Sequence, residues 1–462
     1  MALWQPDPSF YPSPRAAMKA PPEELAYVVW LNADRSQPDR IAVVDVNPGS
    51  SRYAQVIGHA EMPYTGGELH HFGWNACSSM LCPQAPHPHV ERRYLVVPDI
   101  KSSHITILDT KPDPTCPKVV KVIEPKTLAE RTGYSRPHTV HCGPDGVYIS
   151  ALGSPEGEGP GGIMVLEHES LEPLGRWEID RGDQYLHYDF WWHLGYDTLI
   201  SSEWGTPRMV EQGLLGEELL AGRYGHRLHF WDIARRRRLQ ALDLGAEHQM
   251  ALELRPAHDP TRAYGFLNSV VSLKDLSASV WLWYRQNGAW AVQKVIEIPA
   301  EPAEEDLLPP ILKPFKAVPP LITDINLSVD DRFLYVACWG TGELRQYEVS
   351  NPFEPRLTGS LRIGGIVRKA GHPAAQGPLN GGPQMVEVSR DGRHIYFTNS
   401  LYLPWDAQFY PEGIRGWMVK AEADPEGGLR WDERFFIDFG PNRAHQVRLQ
   451  GGDASSDAYC FP

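Results

Sequence analysis

The chain has 462 residues, 42% hydrophobic and 22% charged, an ordinary globular composition with ample material for a core. Its formal net charge is 44 − 58 = −14, which speaks against a nucleic-acid partner, since phosphate binding needs a basic face. It has no apolar run of about 18 residues, so no membrane insertion is expected.

Residues 1–25 are rich in proline and lack the apolar segment of a signal peptide, so they read as an extended lead-in to a cytoplasmic protein. The six cysteines, Cys77, Cys82, Cys116, Cys142, Cys338 and Cys460, form no CxxC and are expected to be free thiols. From Ala26 the alternation is that of strands. AYVVWL (26–31), IAVVDV (41–46) and YAQVIG (53–58) make a first unit without an inner strand. His70-His71-Phe72-Gly73-Trp74 opens a second, completed by RYLVVPD (93–99), HITILDT (104–110) and KVVKVIE (118–124).

A third unit begins at Pro137-His138-Thr139-Val140-His141-Cys142, turns at Asp145-Gly146, and continues through GGIMVLE (161–167) and GRWEID (175–180). The fourth starts at Tyr185-Leu186-His187-Tyr188-Asp189 and is interrupted around 207–225 by a stretch with helical character. Its basic run Arg235 to Arg238 reads as a solvated turn. The fifth starts at His248, the sixth spans 321–363 and the seventh 382–438, with Pro-rich and Gly-rich loops at 300–320 and 364–381. Residues 442–449 have the look of the inner strand that the first unit lacks. The expected fold is therefore all-β: a seven-bladed β-propeller over residues 26–462, closed by the C-terminal strand joining the N-terminal blade. Two β-sandwich domains are the alternative.

Three units share a register. Counting back seven residues from the turn aspartates 145, 330 and 391 gives His138, Thr323 and Gln384; counting back four gives His141, Asn326 and Glu387. Such positions meet at a propeller's axis. The ring there would comprise His70 or His71, His138, a residue near Asp189, His248, Thr323 or Asp324, Gln384 and His445. A single histidine at such a place is ordinarily structural. Several at equivalent repeat positions suit zinc, copper, iron or nickel. On a strand, residues three apart point oppositely, so one or two of His70, His71, His138 and His141 are expected to orient a ligand rather than bind. Cys77 and Cys142 are either soft-metal ligands or small buried hydrophobes. Glu203 is a ligand, a general base or a hydrogen-bonded strand-end residue. No nucleotide-binding or common hydrolase motif is present.

Long stretches of this chain resemble the selenium-binding protein family, also called methanethiol oxidase. They are HHFGWNACSS (70–79), PHTVHC (137–142), YDFWWHLGYDTLISSEW (188–204), the run 321–359, GGPQMVEVS (381–389), SLYLPWDAQFYPEGIRG (400–416) and AHQVRLQGGDASSD (444–457). The resemblance implies a propeller that oxidises methanethiol with O2 and water to formaldehyde, hydrogen sulfide and hydrogen peroxide, using copper. It implies His70, His71, His138, His141 and His445 as metal ligands. Glu203 or Asp189 is the candidate carboxylate to take a proton from the methyl carbon or activate water. At Tyr53-Ala54-Gln55 the chain departs from family members that carry a cysteine proposed to bind selenium. A non-catalytic propeller, acting as a scaffold or as a thiol or selenium carrier through Cys77 or Cys142, is the rival reading. A Ca²⁺ or Mg²⁺ lactonase would favour oxygen ligands over imidazole.

Overall fold

A computed structural model describes residues 5–83 and 87–462. It is a ring of seven four-stranded antiparallel sheets, each running outward from an inner strand. The inner strands of the second to seventh blades are Gly73–Trp74, Ser135–Gly143, Phe190–His193, His248–Pro256, Ile322–Leu327 and Val386–Val388. The first blade takes its inner strand from the other end of the chain. Arg443–Leu449 pairs antiparallel with Leu25–Leu31, Ala26 opposite Leu449 and Trp30 opposite Ala444. This covers the edge that Leu25–Leu31 would otherwise leave bare.

Position in the blade explains the sequence patterns. His248–Pro256 is buried along its whole length because neighbouring blades cover both of its faces. The outer strand Arg237–Asp243 alternates with one wet face. The core is a set of wedges between adjacent blades. One joins Tyr27 and Val43 of the first blade to Trp74 and Leu95 of the second. Another joins Phe266 and Leu282 of the fifth to Ile325 and Val336 of the sixth.

The two ends of the axis are finished differently. Where the inner strands begin, insertions gather: the short helices Pro207–Val210 and Gly216–Leu220, the strand pair Glu301–Pro302 with Ala317–Val318, and the helix Leu403–Phe409. Where they end, residues 450–460 cross the channel. Ser455 Oγ donates to Glu387 Oε1 (2.6 Å), His258 Nε2 donates to the Ser455 carbonyl (2.9 Å), and Arg92 pairs with Asp457 (2.8 Å). Within the lead-in, Pro14–Met18 is a helical turn capped by Ser13.

The cysteines are not all free. Cys77 is bonded to Cys142 and Cys82 to Cys460, leaving Cys116 and Cys338 as thiols. The partners are 65 and 378 residues apart in sequence, and only ring closure brings the second pair together. Spacing alone could not reveal either bond. It follows that Cys77 and Cys142, in this state, are neither thiolate ligands nor isolated hydrophobes.

Candidate metal centre

The inner strands share an irregularity that aims side chains at the axis. In Ser135–Gly143, Pro137 pairs with Ala151 and Val140 with Ile149, so His138 and Thr139 together face Ser150. In His248–Pro256, Leu252 and Glu253 together face Asn268. In Arg443–Leu449, His445 and Gln446 lie within the register shift opposite Val29. Such a bulge frees a residue from the ladder and re-aims its side chain. The displaced backbone is satisfied locally: Thr139 N–H donates to Ser150 Oγ (2.9 Å) and Glu253 N–H to Asn268 Oδ1 (2.8 Å).

Four imidazoles meet as a result. His70 and His71 arrive on the segment before Gly73–Trp74, His138 from the third blade and His445 from the closing strand. Ring centroids are 3.7 Å apart for His70 and His445, 3.9 Å for His71 and His138, and 4.8 Å for His70 and His138. One ring nitrogen each of His70, His71 and His138 lie within 4.8 Å of one another, a spacing that could hold a metal ion. All four residues are buried.

Backbone carbonyls fix two of the tautomers. His70 Nε2–H donates to the Leu401 carbonyl (2.8 Å), which turns its Nδ1 lone pair toward His138 Nε2, 2.8 Å away. His445 Nδ1–H donates to the Ser400 carbonyl (2.6 Å), leaving Nε2 as the lone pair. Asp406 holds that carbonyl loop, accepting from Ser400 Oγ (2.6 Å) and Leu401 N–H (3.0 Å). Carbonyls placed this way are how proteins orient imidazole ligands.

The donor set fits a transition metal. His71 Nε2 and His445 Nε2 are buried without a hydrogen-bond partner, an arrangement that is costly unless something else takes the lone pair. Burial lowers the pKa of His70 to about 3 and holds those of His71, His138 and His445 well below the ordinary value. All four are therefore neutral, the form that ligates. Imidazole alone suits copper, zinc, iron or nickel.

A carboxylate and a phenol complete the cluster. Tyr188 packs its ring 4.5 Å from that of His138 and donates its hydroxyl to Glu253 Oε1 (2.9 Å). Glu253 Oε1 is 4.0 Å from His71 Nε2, but with His71 neutral this is no ion pair. Burial raises the Glu253 pKa, against the pull of Arg255. Sequence reasoning misses Glu253 because the fifth blade's inner strand ends without an Asp-Gly turn from which to count. The available signal is an acidic residue amid Met250, Ala251, Leu252 and Leu254.

Other sequence candidates lie elsewhere. His141 is further along the axis, with its ring 4.2 Å from that of Trp191, and it lines a small cavity with Cys77, Cys142 and Arg448. Three residues of strand separate it from His138, on the order of 10 Å at about 3.3 Å per residue. Glu203 is engaged by His229 (2.8 Å). Asp189 accepts from Phe190 N–H (2.8 Å) and Leu254 N–H (2.9 Å) beside Arg255. His248 packs against Trp281. His187, buried with neither ring nitrogen partnered, is not singled out by the repeat.

Residues 4–460 match the profile of the 56 kDa selenium-binding protein family. The chain belongs to this family. Among curated family relatives, a methanethiol oxidase of Xenopus tropicalis is 39% identical, covering 97% of this chain and 98% of its own. A methanethiol oxidase of Homo sapiens is 40% identical with the same coverage. The solved structure of a hypothetical selenium-binding protein from Sulfolobus tokodaii is 62% identical with a TM-score of 0.96, covering 99% of this chain and 100% of that one. His70, His71, His138 and His445 are the histidines that the propeller brings together at its axis. No helix among the described residues is long and apolar enough to cross a membrane.

Proposed function

We propose that this protein is a copper-dependent methanethiol oxidase. The reaction takes methanethiol, O2 and water to formaldehyde, hydrogen sulfide and hydrogen peroxide. The observation that carries the reading is the cluster of four buried, neutral imidazoles, two of them with unpartnered nitrogens. The relatives named methanethiol oxidase supply the substrate class. His70, His71, His138 and His445 would hold the metal. Bound copper supplies a Lewis acid for the thiol sulfur and a one-electron couple toward O2.

The remaining work falls to the chain's own groups. Glu253 is the carboxylate that faces the cluster, so we assign it the proton transfers in place of Glu203 and Asp189, which are held by other partners. A carboxylate whose pKa is raised by burial is a stronger base than an exposed one. Tyr188 orients it through the 2.9 Å hydrogen bond. Burial of the cluster excludes bulk water.

Metal analysis of untagged protein tests this directly. Copper bound in stoichiometric amount is expected in the wild type and in His141→Ala, and its loss in His138→Ala, together with loss of sulfide and peroxide release from methanethiol. Copper retained in His138→Ala, or lost equally in His141→Ala, would refute the assignment. No transition metal after copper loading would favour the non-catalytic carrier or scaffold.

A further inference from the structure

Above the histidines, where the inner strands begin, the fold encloses a cavity of about 220 Å³. Its wall is built by Met250 and Val271 of the fifth blade, Leu321 at the head of the sixth, and Leu401. The polar groups that reach it are already occupied. Trp339 Nε1 donates to the Asn399 carbonyl (3.0 Å), Trp405 Nε1 to the Val210 carbonyl (2.9 Å), and Thr323 Oγ1 faces the Gln384 carbonyl (3.4 Å). Nothing on the wall is left to bind a charged or hydrogen-bonding ligand. Leu220 and Phe315, from the two insertions that roof the cavity, line it while remaining 69% and 45% exposed. They form an apolar lip toward solvent.

The cavity adjoins the metal centre through one residue. The Leu401 side chain forms part of its wall, and the Leu401 carbonyl accepts from His70 Nε2. Thr323 lies in a register shift of its inner strand, the position that delivers His138 in the third blade. An occupant's inner end is thus one residue, Leu401, away from His70.

Size decides what the occupant is. An apolar cavity of about 150 Å³ suffices to take up benzene. A methyl group would leave most of this larger space unfilled, and unfilled apolar space forgoes the packing that a longer chain would gain. We propose that the cavity is a binding subsite for the apolar group of a larger primary thiol, of benzyl or medium alkyl size, and that such thiols are better substrates than methanethiol. This rests on the oxidase reading above. One primary thiol, one O2 and one water give one aldehyde, one hydrogen sulfide and one hydrogen peroxide. The C–S bond breaks and water supplies the carbonyl oxygen. Two electrons leave the carbon and reduce O2. Of the four hydrogens released, one from the thiol, one from the carbon and two from water, two finish on sulfur and two on peroxide. The reaction needs a C–H on the carbon that bears sulfur, so tert-butyl thiol should bind and inhibit without turning over.

The test compares kcat/KM for benzyl mercaptan and methanethiol in the wild type and in Val271→Trp, which fills the cavity. Leu321→Phe serves as a second variant should the first fail to fold. The expected result is a preference for benzyl mercaptan of about tenfold or more in the wild type, the scale on which apolar pockets discriminate. In the filled variant, benzyl mercaptan should lose about tenfold more than methanethiol does. Equal or lower kcat/KM for benzyl mercaptan in the wild type, or equal losses in the variants, overturns the proposal. Calorimetric titration with toluene separates this from failure of the oxidase reading. If no thiol is oxidised but toluene binds the wild type and not the filled variants, the oxidase reading falls and the apolar subsite stands. If toluene does not bind the wild type, the subsite falls whatever the enzyme does.

Discussion

At Glu253 a carboxylate made more basic by burial lies 4.0 Å from a neutral imidazole and holds a tyrosine hydroxyl. Glu253→Gln preserves the shape and an acceptor for Tyr188 but cannot take a proton. General-base catalysis contributes about 10²–10⁴ in rate, so kcat should fall by that order with copper content unchanged. A variant that loses copper as well would make Glu253 a ligand or a structural residue. Of this site's histidines, His138 is legible in the sequence because it lies at a fixed distance from a turn, and His70, His71 and His445 because they sit in stretches that resemble the family's. Glu253 is not, because its blade carries no such turn. His141 misleads for the opposite reason: it shares the repeat with His138, yet the strand carries it to another depth, beside Trp191.

Strand order and blade boundaries follow from alternation, and the inner strands open at the positions that the turn signals imply. The bulges do not show in the sequence. A bulge is a property of a pair of strands, and the residue that accommodates it sits on the partner: Ser150 for Thr139, Asn268 for Glu253. Ser150→Ala should therefore reach the metal centre without touching a ligand. It leaves the Thr139 N–H buried and unpaired, at a cost of about 1–3 kcal/mol. The expected outcome is a lower melting temperature and weaker copper retention on dialysis against a chelator, with far-ultraviolet circular dichroism unchanged. Wild-type copper retention would mean that the bulge holds its shape without this bond.

Closure of the ring is legible, since residues 442–449 read as a strand with no place except the first blade. The plug that follows is not, because its partners come from several blades at once. His258 is one of them, and its titration reports on the plug. Burial pulls its pKa down, but the hydrogen bond to Asp331 (2.9 Å), the charge of that carboxylate and the Ser455 carbonyl outweigh burial and raise it. The folded state thus binds this proton more tightly than the unfolded chain. The stabilisation is fully present below the unfolded pKa of about 6.5 and is lost as pH rises through the higher folded value. His258→Gln should accordingly be destabilised most at pH 6 and progressively less toward pH 9. A difference from wild type that stays constant across this range would remove the protonated pair from the account.

The same plug is tied covalently by Cys82 and Cys460, whose Cα atoms are 5.4 Å apart. This bond joins the second blade to the end of the chain and closes a loop of almost the whole protein, where constraint of the unfolded state is greatest in chain-entropy terms. Thiol titration in denaturant without reductant should find two reactive cysteines, Cys116 and Cys338, and six after reduction. Cys460→Ser should then lose about 2–4 kcal/mol of stability, seen as faster unfolding at a fixed denaturant concentration. The metal centre lies at the inner-strand bulges, away from the strand ends that the plug covers, so copper content in this variant should stay at the wild-type level. Six reactive thiols before reduction would show that the plug is held by its hydrogen bonds and the Arg92–Asp457 pair alone, and the Ser variant should then unfold at the wild-type rate.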